Sequence, residues 1–244
     1  MIKPFLILGI AVLLAGLLCA VPVCAATIKV LTYNIHHGEG TDGKIDIERI
    51  AGLIRAESPD VVCLQEVDRN MSRTNGLDIP ALLAAKLGMN VTFGPNLEIQ
   101  GGHYGNATLT PHEILKQENC SLPTPEDGEP RGCLRTTIAV GNQTVDVFNT
   151  HFSIIGEERI AQASRVFDVL PQHSVVLAGD LNETDTAEGL ELLLRHLQDT
   201  AAAMRGERRT TIGEGEKARR IDYVLVSRDL RVVSARVIDT KTSR

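Results

Sequence analysis

The stretch TIKVLTYNI, residues 27–35, decides the fold class, because several later segments share its pattern of an apolar strand that ends in a polar side chain. Its β-branched and alternating residues predict a strand, and this strand ends in a polar side chain, Asn34. Residues 45–58 have the apolar spacing of a helix with Asp46 as the expected N-cap, and PDVVCLQEV (59–67) predicts a second strand. A strand, a helix and another strand in this order favour an α/β domain.

Strands outnumber helices along the rest of the chain. Helices are predicted over residues 79–88 (with Asp78 as N-cap and Gly88 as terminator), 156–170 and 186–198. Strands are predicted over residues 133–140, 143–152, 173–182, 219–227 and 230–238. A hairpin at Gly141-Asn142 interrupts the βα alternation, so a simple doubly wound sheet fits badly. We predict an α/β (α+β) four-layer sandwich, with two packed mixed β-sheets flanked by helices.

Length and composition indicate one domain. The chain has 244 residues, of which 43% are hydrophobic, and we assign residues 27–244 to a single globular, monomeric unit. A net charge of −6 argues against binding of nucleic acid through bulk charge. The absence of Trp and an aromatic content of 3% argue against a stacking platform for unpaired bases.

The N-terminal residues 1–26 indicate export. One Lys precedes an unbroken apolar run that ends in small residues, which predicts a secretory signal peptide. An uncleaved membrane anchor is the alternative, because the run approaches the ~20 residues that span a bilayer. Either interpretation places the domain outside the cytoplasm, in the periplasm or secreted, with membrane association possible through this segment.

Three cysteines lie beyond this segment. Cys63 falls in a predicted central strand and is expected to be a small buried hydrophobe. Cys120 and Cys133 bracket a loop rich in Pro, Gly and acidic residues, which has little apolar surface to order it. We predict a disulfide between them, as suits an oxidising compartment; two unrelated thiols are the alternative.

Several predicted strands end in a carboxylate, an amide or an imidazole. These residues are Asn34, Glu66, Asn149, His151, Asp180 and Asn182. Each alone is as readily a turn or capping group. Together, oxygen ligands and one His at strand ends suit a hard divalent cation and a phosphoryl group, and the lack of clustered thiols or an HExxH pair argues against zinc. His36 and His37 either shape a phosphate pocket or lie in an exposed loop.

The chain resembles the endonuclease/exonuclease/phosphatase superfamily over residues 27–240. The resemblance is carried by TYNIHHG (32–38), LQEVD (64–68), HYGNATLT (103–110), NTHF (149–152), GDLN (179–182) and RRIDYVLVS (219–227). It implies a phosphoesterase dependent on Mg²⁺, or on Mn²⁺, with metal-assisted in-line attack of water. The implied substrates are a phosphorylated small molecule, a lipid head group or nucleic acid.

The resemblance also implies roles for individual residues. Glu66 would bind the metal, with Asn34 contacting metal or phosphate, and His151 would donate to the phosphate or leaving group. Asp180 would align the attacking water, and Asn182 would hydrogen-bond the phosphoryl oxygens. Asn106 and Asn149 would lie on the substrate side, although Asn106 is equally well explained as a strand-edge residue.

Asp222 matches the family residue that orients a general-base His from a C-terminal SDH motif. The sequence printed here ends, after VVSARVIDTKTSR, without that motif. We therefore expect either a C-terminally truncated enzyme or a shortened protein that binds phosphorylated ligands without turnover. Loss of a general base typically lowers a rate by ~10²–10⁴-fold.

Overall fold

The computed structural model describes residues 26–204 and 210–238. The predicted signal peptide or anchor lies outside the described residues except for Ala26. Within the described ranges, no helix combines the length and the hydropathy that a membrane crossing requires.

Four strands form the first sheet. They are β1 (Val30–Asn34), β2 (Val61–Arg69), β3 (Asn90–Ile99) and β4 (Gly102–Thr110), in the spatial order β1-β2-β4-β3. β1 pairs with β2 in parallel, whereas β4 is antiparallel to both β2 and β3. The sheet is therefore mixed.

Six strands form the second sheet. They are β5 (Ile114–Ser121), β6 (Gly132–Val140), β7 (Gln143–His151), β8 (Val175–Asp180), β9 (Leu197–Asp199) and β10 (Asp222–Ser227), in the order β5-β6-β7-β8-β10-β9. Only β7 and β8 pair in parallel. β10 lies antiparallel between β8 and β9.

Helices cover the outer face of each sheet. They are α1 (Ile47–Glu57), α2 (Ile79–Leu87), α3 (Gly156–Val169) and α4 (Glu188–Leu193). Apolar residues of α1 and α2 share a core with alternate residues of β1, β2 and β4, and those of α3 and α4 share one with β7, β8 and β10. A third core joins the two sheets. These three cores confirm the predicted four-layer sandwich.

Period-two alternation assigns each side chain to one of these cores. In β2, Val61 and Cys63 face the other sheet, whereas Val62 and Leu64 face α1 and α2. Cys63 is fully buried in the inter-sheet core, as expected.

The predicted helix caps are confirmed. The carboxylate of Asp46 accepts the N–H of Arg49, and that of Asp78 accepts the N–H of Ala81. Gly88 ends α2 with φ at 66°, a left-handed conformation that glycine adopts without strain.

The predicted strands omit β3, β4 and β5. β3 contains Gly94 and Pro95, which normally argue against a strand, and its pairing shifts register just after Pro95. β5 lies at a sheet edge and is largely exposed, so its sequence ILKQENCS shows no alternation.

Two predicted elements at the C-terminal side are corrected. The helix expected over 186–198 ends at Leu193, and Leu197–Asp199 is a strand instead. The strand expected over 230–238 is irregular, with one isolated bridge from Ala235 to Met204. β9 already occupies the free edge of β10, so this alternating segment finds no strand to pair with there.

The predicted disulfide is also corrected. Cys120 on β5 and Cys133 on β6 are direct register partners, but both carry free thiols. Burial raises the pKa of the Cys133 thiol well above its ordinary value, with a further contribution from Cys120. Strand pairing, rather than a covalent link, joins the two ends of the loop between them.

Candidate active site

The polar strand-end residues lie at one rim of the interface between the two sheets. Val176 and Ala178 face the inter-sheet core, so Asp180, two residues further along β8, emerges on the same side. Register pairs His151 with Asp180 across β7 and β8, and Asp180 with Asp222 across β8 and β10. Five strands, β1, β2, β7, β8 and β10, thus deliver their polar ends to one place.

Asn34 joins the two sheets at this rim. Its side-chain nitrogen donates to Glu66 Oε1 at 2.7 Å and to Asp180 Oδ2 at 3.2 Å, and its side-chain oxygen accepts the N–H of His36 at 3.1 Å. A backbone N–H is always a donor, so this contact fixes which end of the amide is oxygen. Asn34 therefore bridges two carboxylates in this structure, and its expected contact with the metal or phosphate stays a prediction.

Glu66 reaches the rim because β2 bulges. The pairing of β2 with β4 shifts register between Leu64 and Val67, and Glu66 has φ at 56°. Positive φ is uncommon for a residue other than glycine and often marks a functional position. The bulge turns the Glu66 carboxylate toward the bridging amide of Asn34.

His36 and His37 flank Glu66. They form a short 3₁₀ turn directly after β1, each with φ at 45°, and their ring centroids are 4.3 Å apart. A donor atom from each imidazole and one from the Glu66 carboxylate lie within 4.8 Å of one another. The two histidines are therefore part of the site's geometry.

The turn after β8 positions Asn182. Its backbone, with φ at 49°, donates its N–H to Asp180 Oδ1 at 3.0 Å. Its side-chain nitrogen donates to the carbonyl of Phe152 at 3.0 Å and lies 3.2 Å from Nε2 of His151. Asn182 is therefore held beside both Asp180 and His151.

His151 is buried and neutral. Burial, and then the neighbouring Arg131 guanidinium, lower the pKa of His151 to about 3. Arg131 Nη1 lies 2.9 Å from Nδ1 of His151, and the Asn182 side-chain nitrogen lies 3.2 Å from Nε2. Both neighbours are donors and a neutral imidazole accepts at one nitrogen only, so the two contacts cannot both be hydrogen bonds. We assign the hydrogen bond to the shorter contact, from the charged guanidinium, which makes Nδ1 the acceptor. A neutral imidazole then carries its proton on Nε2, the nitrogen 3.8 Å from Asp180 Oδ2.

Arg131 is a site residue that sequence reasoning missed. It lies just before β6, is buried, and also pairs with the half-exposed Glu129 at 3.0 Å. Its Nε has no hydrogen-bond partner although it is buried. Burial raises the pKa of Tyr104, and the charge of Arg131 and a hydrogen bond from it oppose part of this rise. The available signal was the Arg-Gly pair directly before a predicted strand.

Asp222 lies beside Asp180 at the same rim. Burial, and then the negative charge of Asp180, raise the pKa of Asp222 to about 7, while a hydrogen bond from Thr211 opposes this shift. Burial likewise raises the pKa of Asp180, against hydrogen bonds from Asn34 and the N–H of Asn182; the charge of Glu66 adds to the increase.

Two residues predicted to lie on the substrate side, Asn106 and Asn149, are buried in the structure and do not reach the rim. Asn149 has no exposed surface, and its side chain bonds to Leu64 O, Ala107 O and Gln65. The Asn106 side chain is 1% exposed and donates to Gly132 O at 3.0 Å. Both amides face protein groups, so neither can touch a substrate without opening the interface.

The donor set fits a divalent cation. The charge of Glu66 contributes to the raised pKa of Asp180, and the charge of Asp180 contributes to that of Asp222, in each case after burial. The group that bridges Glu66 and Asp180, Asn34, is neutral. Bringing such carboxylates together at a partly buried rim is unfavourable unless a positive charge compensates. Carboxylate oxygens are also the ligands that Mg²⁺ and Mn²⁺ prefer, and Glu66 offers such oxygens at the rim.

Comparisons with known proteins agree with this geometry. Residues 31–244 match the model of the Endonuclease/Exonuclease/phosphatase family. Over 174 residues the chain is 28% identical to "Uncharacterized protein YbhP" of Escherichia coli strain K12, covering 64% of this chain and 67% of that protein.

Solved structures have the same fold. An endonuclease/exonuclease/phosphatase from Beutenbergia cavernae DSM 12333 is 29% identical with a TM-score of 0.71; the match covers 84% of this chain and 65% of that one, slightly under two thirds of its length. Mannosyl-6-phosphatase Bt3783 of Bacteroides thetaiotaomicron VPI-5482 is 19% identical with a TM-score of 0.65, covering 83% and 86%. The chain belongs to the endonuclease/exonuclease/phosphatase family, whose members are phosphoric ester hydrolases.

Proposed function

We propose that this protein is an exported phosphoesterase that hydrolyses a phosphodiester or phosphomonoester with the help of a divalent cation, Mg²⁺ or Mn²⁺. The observation that carries this proposal is the arrangement around Asn34. One amide holds a carboxylate from each sheet, Glu66 and Asp180, and His151 presents its Nε2–H next to Asp180. A cation-binding carboxylate, a water-orienting carboxylate and a neutral donor are thereby collected at one rim.

A divalent cation held at Glu66 would neutralise phosphoryl oxygens and so lower their repulsion toward an incoming water. Asp180 accepts a proton of that water, and its raised pKa makes it a better base than an ordinary carboxylate. The water oxygen bonds to phosphorus while the bond from phosphorus to the leaving oxygen breaks; the leaving oxygen keeps the bonding electron pair and takes up a proton from solvent. Neutral His151 stabilises the negative charge that develops on the phosphoryl oxygens by donating from Nε2.

Asp222 adjoins the base rather than the phosphate. Its register pairing with Asp180 places two carboxyl groups side by side, and burial, followed by the charge of Asp180, raises the pKa of Asp222. Asp222 therefore holds its proton more tightly than an ordinary carboxyl group does beside the ionised Asp180. Asn182, beside His151, is placed to donate to a phosphoryl oxygen.

The loop after His151 supports a substrate with an apolar body. Ile154 is 77% exposed and Ile155 is 52% exposed, three and four residues beyond the catalytic His151. Arg159 Nη1 donates to Ile154 O at 2.7 Å, which fixes the backbone of the loop at Ile154. Exposed isoleucines beside a phosphoryl site favour a lipid-like phosphoester over nucleic acid. The phosphatase among the structural neighbours supports the possibility of a small-molecule ester.

Metal-dependent hydrolysis by the full chain tests the proposal. A generic phosphodiester and a phosphomonoester are incubated with Mg²⁺ or Mn²⁺, with an EDTA control, using wild type and Glu66→Gln. We expect turnover that EDTA and Glu66→Gln both abolish, and that Glu98→Gln, at an exposed strand position, leaves unchanged. Equal turnover by wild type and Glu66→Gln would refute the metal assignment.

A protein that binds phosphorylated ligands without turnover is the second candidate. It is favoured by Arg131, whose buried guanidinium has a free Nε–H. Saturable binding of a phosphate ester by folded protein, with no hydrolysis under any of these metals, would support this function instead.

A further inference from the structure

Two imidazoles stand beside the carboxylate that we assign to the metal. His36, His37 and Glu66 each offer one ligand atom, and these atoms lie within 4.8 Å of one another. Ligands about 2.1 Å from a shared cation can be at most about 4.2 Å apart, so only a small side-chain rotation separates this arrangement from coordination. The Mg²⁺ expectation rested on oxygen ligands and left these two nitrogens unused.

The backbone holds both histidines in place. The N–H of His36 donates to Asn34 Oδ1 at 3.1 Å, which ties the turn to the amide that also holds Glu66. Gly38 ends the turn with φ at 92°, and a Cβ there would lie 2.9 Å from Ile47 Cδ1, so the turn rests directly on the core. His36 and His37 are therefore presented by a fixed turn.

One histidine already has the outer partner that metal-binding imidazoles usually have. Nε2 of His37 lies 3.3 Å from Glu39 Oε2, which leaves Nδ1 of that ring for a ligand. A carboxylate behind an imidazole fixes its tautomer and increases its basicity as a ligand. His36 is exposed, so a cation can reach the cluster from solvent.

We propose that His36, His37 and Glu66 form a three-ligand site for a transition-metal dication that accepts nitrogen ligands, such as Mn²⁺, Co²⁺ or Zn²⁺, in preference to Mg²⁺. Mg²⁺ takes oxygen ligands and dehydrates reluctantly, whereas imidazole suits the later first-row metals. Three protein ligands leave positions open for water or a phosphoryl oxygen. The inference rests on the proposed function only in assigning Glu66 to the metal.

Co²⁺ binding to the metal-free full chain tests the site directly. Its visible absorption reports nitrogen ligands, and Zn²⁺ competition reports affinity. We expect His36→Gln and His37→Gln each to weaken Co²⁺ binding by at least about tenfold, since even loss of an outer-shell partner typically costs 10–100-fold. Mg²⁺ binding should change less than about twofold. His173→Gln, at a side chain that is 80% exposed elsewhere, is the matched control and should leave the spectrum unchanged.

Pulsed electron paramagnetic resonance of the Mn²⁺-loaded wild type needs no variant, so a misfolded variant cannot hide the answer. Coupling to imidazole nitrogen in the wild type supports the site, and its loss in folded His36→Gln/His37→Gln assigns that coupling to these two residues. No nitrogen coupling, or a Co²⁺ spectrum unchanged by both histidine substitutions, overturns it.

Different results would refute the inference and the proposed function. Glu66-dependent hydrolysis with a Co²⁺ spectrum indifferent to the histidines would retain the function and reject the three-ligand site. A Co²⁺ spectrum that needs all three residues, with no hydrolysis under any metal, would retain the site and reject the function.

Discussion

Arg131 decides which nitrogen of His151 carries the proton. A guanidinium has five N–H donors and no acceptor, so its 2.9 Å contact with Nδ1, shorter than the 3.2 Å contact between Nε2 and the Asn182 amide nitrogen, is the hydrogen bond in which Nδ1 offers its lone pair. The proton on Nε2 is then on the side of the ring that faces Asp180. Arg131 is thus a positioning residue for a donor that is neutral over the physiological pH range.

Arg131→Met should release His151 from this constraint. Removing a positive charge beside an imidazole raises its pKa, so the His151 pKa should rise from about 3 toward its ordinary value. Titration of ¹⁵N-labelled imidazole by NMR measures the shift directly, and turnover should fall by about 10–100-fold as the donor loses its orientation. Arg135→Met, at a partly exposed ion pair with Asp146, is the control. An unchanged His151 titration would contradict the assignment.

The sequence predicted which types of polar residue lie near the rim better than it predicted how deeply each one is buried. Asn149 and His151 are two residues apart on β7 and face the same side, as alternation requires. His151 stands at the strand end, whereas Asn149 lies one pleat deeper and is fully buried. Sequence period gives the face of a strand, but not where the packed sheet begins to exclude solvent. Arg131 was missed for a related reason, because its partner lies on another strand.

At the scale of elements, Asn149 links the two sheets. From β7 it donates to Leu64 O on β2 at 3.1 Å and to Ala107 O on β4 at 2.8 Å, and it accepts from Gln65 Nε2 at 2.8 Å. A buried amide that meets this many partners is favourable, but each partner left alone in the interior is costly.

Asn149→Ala should therefore destabilise the fold more than it affects substrate binding. We expect the free energy of unfolding to fall by about 3 kcal/mol, since several buried groups lose their partner. Urea unfolding measures this, with the exposed Gln143→Ala as control. KM of the remaining folded enzyme should change less than about twofold, because Asn149 contacts protein groups alone. A large rise in KM with unchanged stability would restore its predicted substrate role.

The loop between β7 and α3 is a second element with a testable role. Arg159 holds the carbonyl of Ile154, and Arg159 Nε also pairs with Glu183 at 3.2 Å, just beyond the turn that carries Asn182. The two exposed isoleucines are thus fixed relative to the phosphoryl site.

Replacing both side chains, Ile154→Ser/Ile155→Ser, should affect only substrates with an apolar body. We expect kcat/KM for a long-chain phosphodiester in micelles to fall about tenfold, from the loss of partial apolar burial. Turnover of a short, water-soluble phosphoester should be unchanged. Val233→Ser, at another exposed apolar side chain, is the control. Equal losses on both substrates would show a general effect on the site.

Local signals correctly predicted the elements that have strong periodicity or clear caps. They failed where pairing with a distant segment determines whether a strand forms. α1 and α2 begin at Asp46 and Asp78 as expected, because a cap is a local interaction. Residues 230–238 alternate as a strand would, yet β9 takes the edge of β10 and leaves them irregular. Which segment occupies a sheet edge depends on competition between distant parts of the chain.

At the scale of the whole molecule, neither sheet contains the site alone. Asn34 and Glu66 come from the four-stranded sheet, whereas His151, Asp180 and Asp222 come from the six-stranded one. Packing of the sheets therefore brings together carboxylates that repel one another. The site is assembled at a cost in stability that only the complete sandwich can offset.

The pH dependence of the free energy of unfolding should differ between wild type and Asp222→Asn, and the difference measures this cost. A carboxyl with a raised pKa binds its proton more tightly in the native state than in the unfolded chain, so native stability falls as pH rises from about 4 to about 7. Asn is neutral throughout and matches the protonated acid in shape. The variant should therefore equal wild type near pH 4 and exceed it at pH 8 by a few kcal/mol, with ~4 kcal/mol as the ceiling for a shift of this size.

Thermal and urea unfolding at pH 4 and pH 8 in EDTA measure this difference, with the exposed Asp168→Asn as control. A divalent cation at pH 8 should stabilise wild type more than Asp222→Asn, because the cation offsets the repulsion between Asp180 and Asp222. If the variant gains equal stability at both pH values, the charge of Asp222 is not responsible for the effect. The repulsion between Asp180 and Asp222 would then be offset in the native protein by something other than protonation or a bound cation.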